Sequence, residues 1–233
     1  GDAGYGGDCS EVAEQLVGSV RDVYSTHRAF AAVRSDGSVV TWGHPQHGGD
    51  SRAVQGMLAE SSVCPRVYST SGAFAVLRSE DGSVVVWGDR DSGGEASAAR
   101  AQLRGDVREL YTTSWAFAAL LAGGQVVAWG CRTHGGDAFG VRKQLVEGVR
   151  RVFATEGAFA ALKAGGSVVS WGHRNFGGHH PAVREQLASG VRHIYCASSA
   201  FAAVKEDGSV VTWGNQEHGG DCLEARAALR GEP

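Results

Sequence analysis

One pattern of apolar and polar positions recurs about every 42 residues along the chain. Trp-Gly occurs at Trp42-Gly43, Trp87-Gly88, Trp129-Gly130, Trp171-Gly172 and Trp213-Gly214, with spacings of 45, 42, 42 and 42. An Ala-Phe-Ala element precedes each pair, placing Phe30, Phe74, Phe117, Phe159 and Phe201 in register. A Gly-Gly pair follows, beginning at Gly48, Gly93, Gly135, Gly177 and Gly219, and a sixth copy, Gly6-Gly7, opens the chain. After each Gly-Gly, apolar residues four apart predict one stripe on a short helix: Val12/Leu16, Val54/Leu58, Ala99/Leu103, Val141/Leu145, Val183/Leu187 and Ala225/Leu229. Asp8 followed by Glu11 resembles a capping box at the first of these. A β-branched and aromatic run such as 20–26 predicts a strand. The runs 30–34 and 38–42 flank Asp36-Gly37, which predicts a hairpin because Gly accepts the positive φ of a tight turn. The second copy carries an extra residue there, Ser79-Glu80-Asp81-Gly82, and predicts a looser turn.

Each unit thus reads as three strands plus one short helix, in a mainly β tandem repeat filling the chain as a single domain. The units are approximately 6–47, 48–92, 93–134, 135–176 and 177–218, with a terminal half unit at 219–233. Of 19 aromatic residues, 15 fall at three repeating positions, as expected of core layers that each unit buries on its neighbour. The expected architecture is a β-propeller-like ring of five units; the alternative is an open β/α solenoid arc. In a closed ring the first and sixth helical segments compete for one slot. Cys9 and Cys222 are equivalent positions in those two segments, and a disulfide joins them only if the ends meet.

The elements AFAAVRSDGSVVTWG (29–43) and AFAAVKEDGSVVTWG (200–214) resemble the regulator-of-chromosome-condensation repeat. The resemblance covers two strands of every unit and implies a β-propeller-like arrangement. A Gly-Gly-Asp loop and a helix stand where that family continues with a Gly-Gln-Leu-Gly loop, and the units are shorter. The sequence is therefore most similar to a short, 42-residue variant of the repeat. Exchange-factor activity in the family depends on a specialised insertion between blades, and no unit here carries an insertion longer than about three residues. The Gly-Trp-Arg-His-Thr repeat of its ultraviolet-B receptor is not matched by His27-Arg28-Ala29 or Ser114-Trp115-Ala116. Members of one fold serve many roles, so the resemblance does not choose a function.

Composition narrows the classes. With 22 Lys+Arg against 25 Asp+Glu the net charge is −3, which argues against a general nucleic-acid binder. Charged residues recur throughout, so no apolar run approaches the ~20 residues of a membrane helix; peripheral association with a membrane complex is left open. Residue 1 is Gly and the sole Met is Met57, which predicts a processed product or a fragment, imported into an organelle such as a plastid or secreted. Five cysteines give neither a C-x-x-C nor a zinc-ligand pattern.

No nucleophile, base and orienting group stand in a catalytic arrangement, so the expectation is a protein that is not an enzyme and needs no cofactor. Ser and Thr recur at strand ends, where hydrogen bonding is their ordinary role. His-Gly-Gly-Asp at His47/Asp50, His134/Asp137 and His218/Asp221 offers weak candidates for a divalent metal. The competing reading has each Asp capping the next segment and each His solvated. His179-His180 departs from the pattern, and Pro181 after it suits a helix start.

A repeat scaffold binds through the residues that vary between its units. Two loop sets vary here: 27–28, 71–72, 114–115, 156–157 and 198–199, and 44–47, 89–92, 131–134, 173–176 and 215–218. Trp115, outside the aromatic register, is the leading candidate anchor, with Arg28, Arg90, Arg132, Arg174 and Phe176 around it. The expected function is a non-enzymatic scaffold for protein–protein interaction, such as an accessory subunit of a larger complex. The alternative is a segment of a secreted or surface adhesin binding glycan or divalent metal.

Overall fold

The structure, a computed structural model, describes residues 1–59 and 65–221. It contains five three-stranded antiparallel sheets, each formed by consecutive strands in sequence order. The first strands are Val20–Ser25, Arg66–Ser69, Val107–Thr112, Val149–Ala154 and Val191–Cys196. The second are Ala29–Arg34, Ala73–Leu77, Ala116–Leu121, Ala158–Lys163 and Ala200–Lys205. The third are Val39–Gly43, Val84–Gly88, Val126–Gly130, Val168–Gly172 and Val210–Gly214. This is the mainly β, propeller-like repeat that the pattern predicts.

The hairpins form where Asp-Gly and its counterparts place them. Gly37 sits at φ 84° and its N–H donates to the Arg34 carbonyl at 2.9 Å. In the second sheet the extra residue lengthens this link: Gly82 N–H donates to Arg78 O, four residues back, at 3.1 Å. Phe and Trp pair directly across each hairpin, for example Phe159 with Trp171, and their rings stack 5.1–5.3 Å apart in all five sheets.

The Gly-Gly motif is explained by the same packing. Each Trp indole N–H donates to the carbonyl of the first Gly of the preceding pair: Trp42 to Gly6, Trp87 to Gly48, Trp129 to Gly93, Trp171 to Gly135 and Trp213 to Gly177, at 2.9–3.1 Å. That Gly is left-handed, as at Gly135 (φ 103°), and lies under the next Phe ring, where a Cβ would come 2.6 Å from Phe159 Cδ2. Gly6 therefore does for the first sheet what the first glycine of each internal pair does for the others.

Four cores form between successive sheets. Each combines one face of a sheet, the apolar stripe of the connecting segment and the opposite face of the next sheet. Between the first two sheets these are Ala29, Ala31 and Val33; Val54 and Leu58; and Val67, Phe74 and Trp87. Leu58, Leu103, Leu145 and Leu187 are all buried. The connecting segments are less helical than expected. Among the described residues only Ala13–Leu16 and Gln55–Ala59 are α-helical, while Gln102–Arg104, Phe139–Gln144 and Pro181–Val183 are 3₁₀ turns. Segments this short cannot offset helix nucleation, and burial of the Leu holds them instead. The expected capping box is replaced by a local turn: Asp8 Oδ1 accepts from Ser10 N and Oγ at 2.9 and 2.7 Å.

The arrangement is not closed. Val23 is 54% exposed, whereas its equivalents Val67, Leu110, Val152 and Ile194 are buried. Tyr195 is 60% exposed, whereas Tyr24, Tyr68, Tyr111 and Phe153 pack against the inter-sheet cores. The Tyr layer is thus not uniformly core, because no described sheet precedes the first or follows the fifth. Cys9 is exposed; its pairing with Cys222 and the Ala225/Leu229 stripe involve residues outside those described.

Candidate binding face

The two variable loop sets come together at one end of the sheets, held by three kinds of bond. Backbone bonds run from sheet to sheet along the first set: His27 N–H to Ser71 O, Ser71 to Ser114, Ser114 to Glu156 and Glu156 to Ser198, at 2.8–3.0 Å. The second set is tied to the first within each sheet: His44 N–H to Arg28 O, Asp89 to Gly72, Cys131 to Trp115, His173 to Gly157 and Asn215 to Ser199, at 2.8–3.0 Å. A threonine hydroxyl completes the clamp in four sheets. Thr26, Thr70, Thr113 and Thr155 Oγ1 donate to the carbonyls of His47, Ser92, His134 and Phe176 at 2.8–3.0 Å. This is the hydrogen-bonding role expected of strand-end threonines.

Thr155 Oγ1 also accepts from Ala158 N–H at 3.1 Å and is buried. Thr155→Val keeps the shape and leaves that N–H and the Phe176 carbonyl unpaired. A loss of about 1–3 kcal/mol in urea unfolding is expected.

Across this end lies a row of rings. His27 and Trp115 are 6.4 Å apart by centroid, Trp115 and His134 6.4 Å, His134 and His173 5.3 Å and stacked, and His173 and Phe176 5.4 Å. Gly157 makes room for it, since a Cβ there would meet Phe176 at 2.8 Å and His134 at 3.1 Å. Trp115 is 39% exposed, so it is neither core nor free in solvent. The structure therefore brings Trp115 and Phe176 into one row and adds His27, His134 and His173 as ring neighbours. Their loops vary between repeats, but only the stacking of sheets places the rings side by side.

The arginines differ. Arg28 lies 4.9 Å over the Tyr5 ring. Arg90 and Arg132 are exposed and pair with Glu95 (3.0 Å) and Asp137 (3.1 Å). Arg174 is exposed, two residues before Phe176 in the same loop.

The His-Gly-Gly-Asp motifs do not assemble as ligand sets. Asp50 accepts Arg52 N–H at 3.0 Å and the Arg52 guanidinium at 2.6 Å, and these bonds hold its carboxyl at about 2. Asp137 Oδ1 accepts Phe139 N–H at 2.8 Å. His134 Nδ1 bonds Thr133 Oγ1 and His218 Nδ1 bonds Ser199 Oγ, both at 2.9 Å. Among the described residues, which include His47 and Asp221, no group of three His, Cys, Asp or Glu is placed to hold a metal ion. His180 turns inward, bonding Ser170 Oγ through Nδ1 and lying 6.0 Å from the Trp213 ring, and Pro181 opens the next 3₁₀ turn.

Burial, with smaller contributions from the His179 and Arg184 charges, lowers His180 to about 4; burial lowers His47 and His134 as well. The unfolded chain, with imidazoles near 6.5, therefore binds more protons than the folded one as pH falls from about 6.5 to 4. Stability is full above that window and declines through it. The urea midpoint should fall over this range, and less steeply in His180→Gln.

No family model and no curated protein matches the sequence. Solved structures do match in fold. Yeast RCC1 (Prp20), solved bound to Kap60, gives a TM-score of 0.52 at 18% identity over 85% of this chain and 56% of its own. Human WBSCR16 gives 0.52 at 16% identity over 84% and 61%. The chain is a β-propeller-type tandem repeat of the architecture seen in RCC1. It spans less than two thirds of the length of these relatives. Among the described residues, no helix is long and apolar enough to cross a membrane.

Proposed function

We propose that the chain is a non-enzymatic scaffold that binds a protein partner across the loop end of its sheets, as an accessory subunit of a larger assembly. The observation that carries this reading is the joining of both variable loop sets into one rigid face around the half-exposed Trp115. Backbone bonds and Thr hydroxyls fix the face, so little ordering entropy is lost on docking. An aromatic anchor on a face whose loops also carry exposed Arg has the composition of an interface hot spot. Phe176 extends the row, and the exposed Arg132 and Arg174 belong to the same loops as His134 and His173. The RCC1 neighbour, solved in a complex with another protein, is a precedent for the fold serving this role.

The test is native purification from the source, identification of a stoichiometric partner by mass spectrometry, and binding measurements with variants. Trp115→Ala should weaken the complex about tenfold or more, and Arg132→Ala by less. Both side chains are exposed enough that the melting temperature should hold. A partner that binds both variants as tightly as the parent would place the interface elsewhere.

A further inference from the structure

The two ends of the sheet stack are the two halves of one repeated interface. At each internal junction the later sheet contributes apolar residues from its first strand: Val67, Val107 with Leu110, Val149 with Val152, and Val191 with Ile194, all buried. The earlier sheet contributes the ring of its own first strand, as Tyr68, Tyr111 and Phe153 do. The earlier sheet also offers its hairpin turn, whose Gly82, Gly124 or Gly166 carbonyl accepts from Val107, Val149 or Val191 N–H at 2.9–3.0 Å.

Among the described residues, each half stands alone at the outer ends. The first sheet presents Val20 and Val23, both exposed. The fifth presents Tyr195, exposed, with Val204 and Val210 only half-buried. A Cβ on Gly208, the fifth hairpin glycine, would meet nothing within 4 Å, whereas one on Gly82, Gly124 or Gly166 would lie 2.9 Å from the next sheet's backbone. Among the described residues the loop-end ladder likewise runs from His27 to Ser198 and no further.

We propose that a second copy of this chain docks head to tail on these ends, the Val20/Val23 face of one copy seating on the Tyr195 face of the next. The argument is continuity. The same residue types at the same repeat positions already form four such junctions within one chain, and the segments 29–43 and 200–214 flanking the new one are nearly identical. The incoming copy brings its own junction segment, since Gly6 O already accepts from Trp42. An interface of unlike faces leaves one free half at each end, so assembly continues beyond the dimer unless it closes.

Sedimentation velocity across a wide concentration range tests this with the full chain. The parent should form dimers and longer species. Val23→Asp and Tyr195→Asp each spoil one end, at exposed positions, and each should weaken self-association about tenfold or more. The decisive sample is their equimolar mixture, in which one sound face of each kind survives. It should give a dimer and nothing larger. A parent that stays monomeric throughout overturns the proposal, as does a mixture no more associated than its components. Association that appears only after deleting residues 219–233 assigns the surface to that segment of the same chain and overturns it equally.

Discussion

Gly136→Ala is expected to cost about 3 kcal/mol or more, near the upper end of what overpacking a well-packed site costs. The added methyl would overlap the carbonyl group of Gly130 and crowd Cys131 N. Its obstacle is backbone at the end of a strand, so no rotamer change relieves it. The same second-glycine position recurs at Gly49, Gly94, Gly178 and Gly220, each against the backbone of the Trp-Gly pair before it. Moving that backbone also moves the Cys131 N–H bond to Trp115 O, so the binding face shifts with the core. Gly140→Ala is the internal control. A Cβ there meets nothing within 4 Å, and the change should be neutral or slightly stabilising. Urea unfolding of both variants decides it. A Gly136→Ala protein within ~0.5 kcal/mol of the parent, the usual range for an inconsequential surface change, would show that the close approach is not required.

Much of this was legible in the sequence because the determinants are local. Asp36-Gly37 places a hairpin with no knowledge of the rest of the chain, and one added residue at 79–82 lengthens the turn as expected. The Phe and Trp layers follow from alternation and recur five times. The helices read less well. An apolar pair four apart marks a stripe facing the core whether the backbone is α or 3₁₀, so the leucines of the four internal segments are buried as expected while three of those segments are 3₁₀ rather than α-helical. The exposure of Tyr195 goes with the absence of a described sheet after the fifth, a property of position in the stack that identical residue types cannot signal. The candidate face was half legible. Variation between repeats singles out both loop sets, and Trp115 breaks the aromatic register. That His27 of the first sheet neighbours Trp115 of the third is fixed by the stacking of sheets. So is the clamping of the two loops by Thr26, Thr70, Thr113 and Thr155.

The interior of the stack should be far more sensitive than its ends, and Phe159→Ala against Phe30→Ala measures the difference. Phe159 is fully buried, stacks on Trp171 at 5.3 Å and covers Gly135 at the junction of the third and fourth sheets. Truncating it should cost about 3–5 kcal/mol. In a repeat whose stability is a sum of units and nearest-neighbour interfaces, a loss placed at one junction also weakens the coupling between the blocks on either side. Unfolding of Phe159→Ala should therefore broaden or divide into two steps, with amides of the fourth and fifth sheets exchanging before those of the first three. Phe30 occupies the same repeat position and stacks on Trp42 at 5.2 Å, but it is only half-buried and no described sheet precedes it. Phe30→Ala should cost clearly less and leave a single transition, because the four internal junctions stay intact. Equal losses with equally sharp transitions would mean that the five sheets unfold as one unit, and that coupling along the stack exceeds what the four separate cores supply.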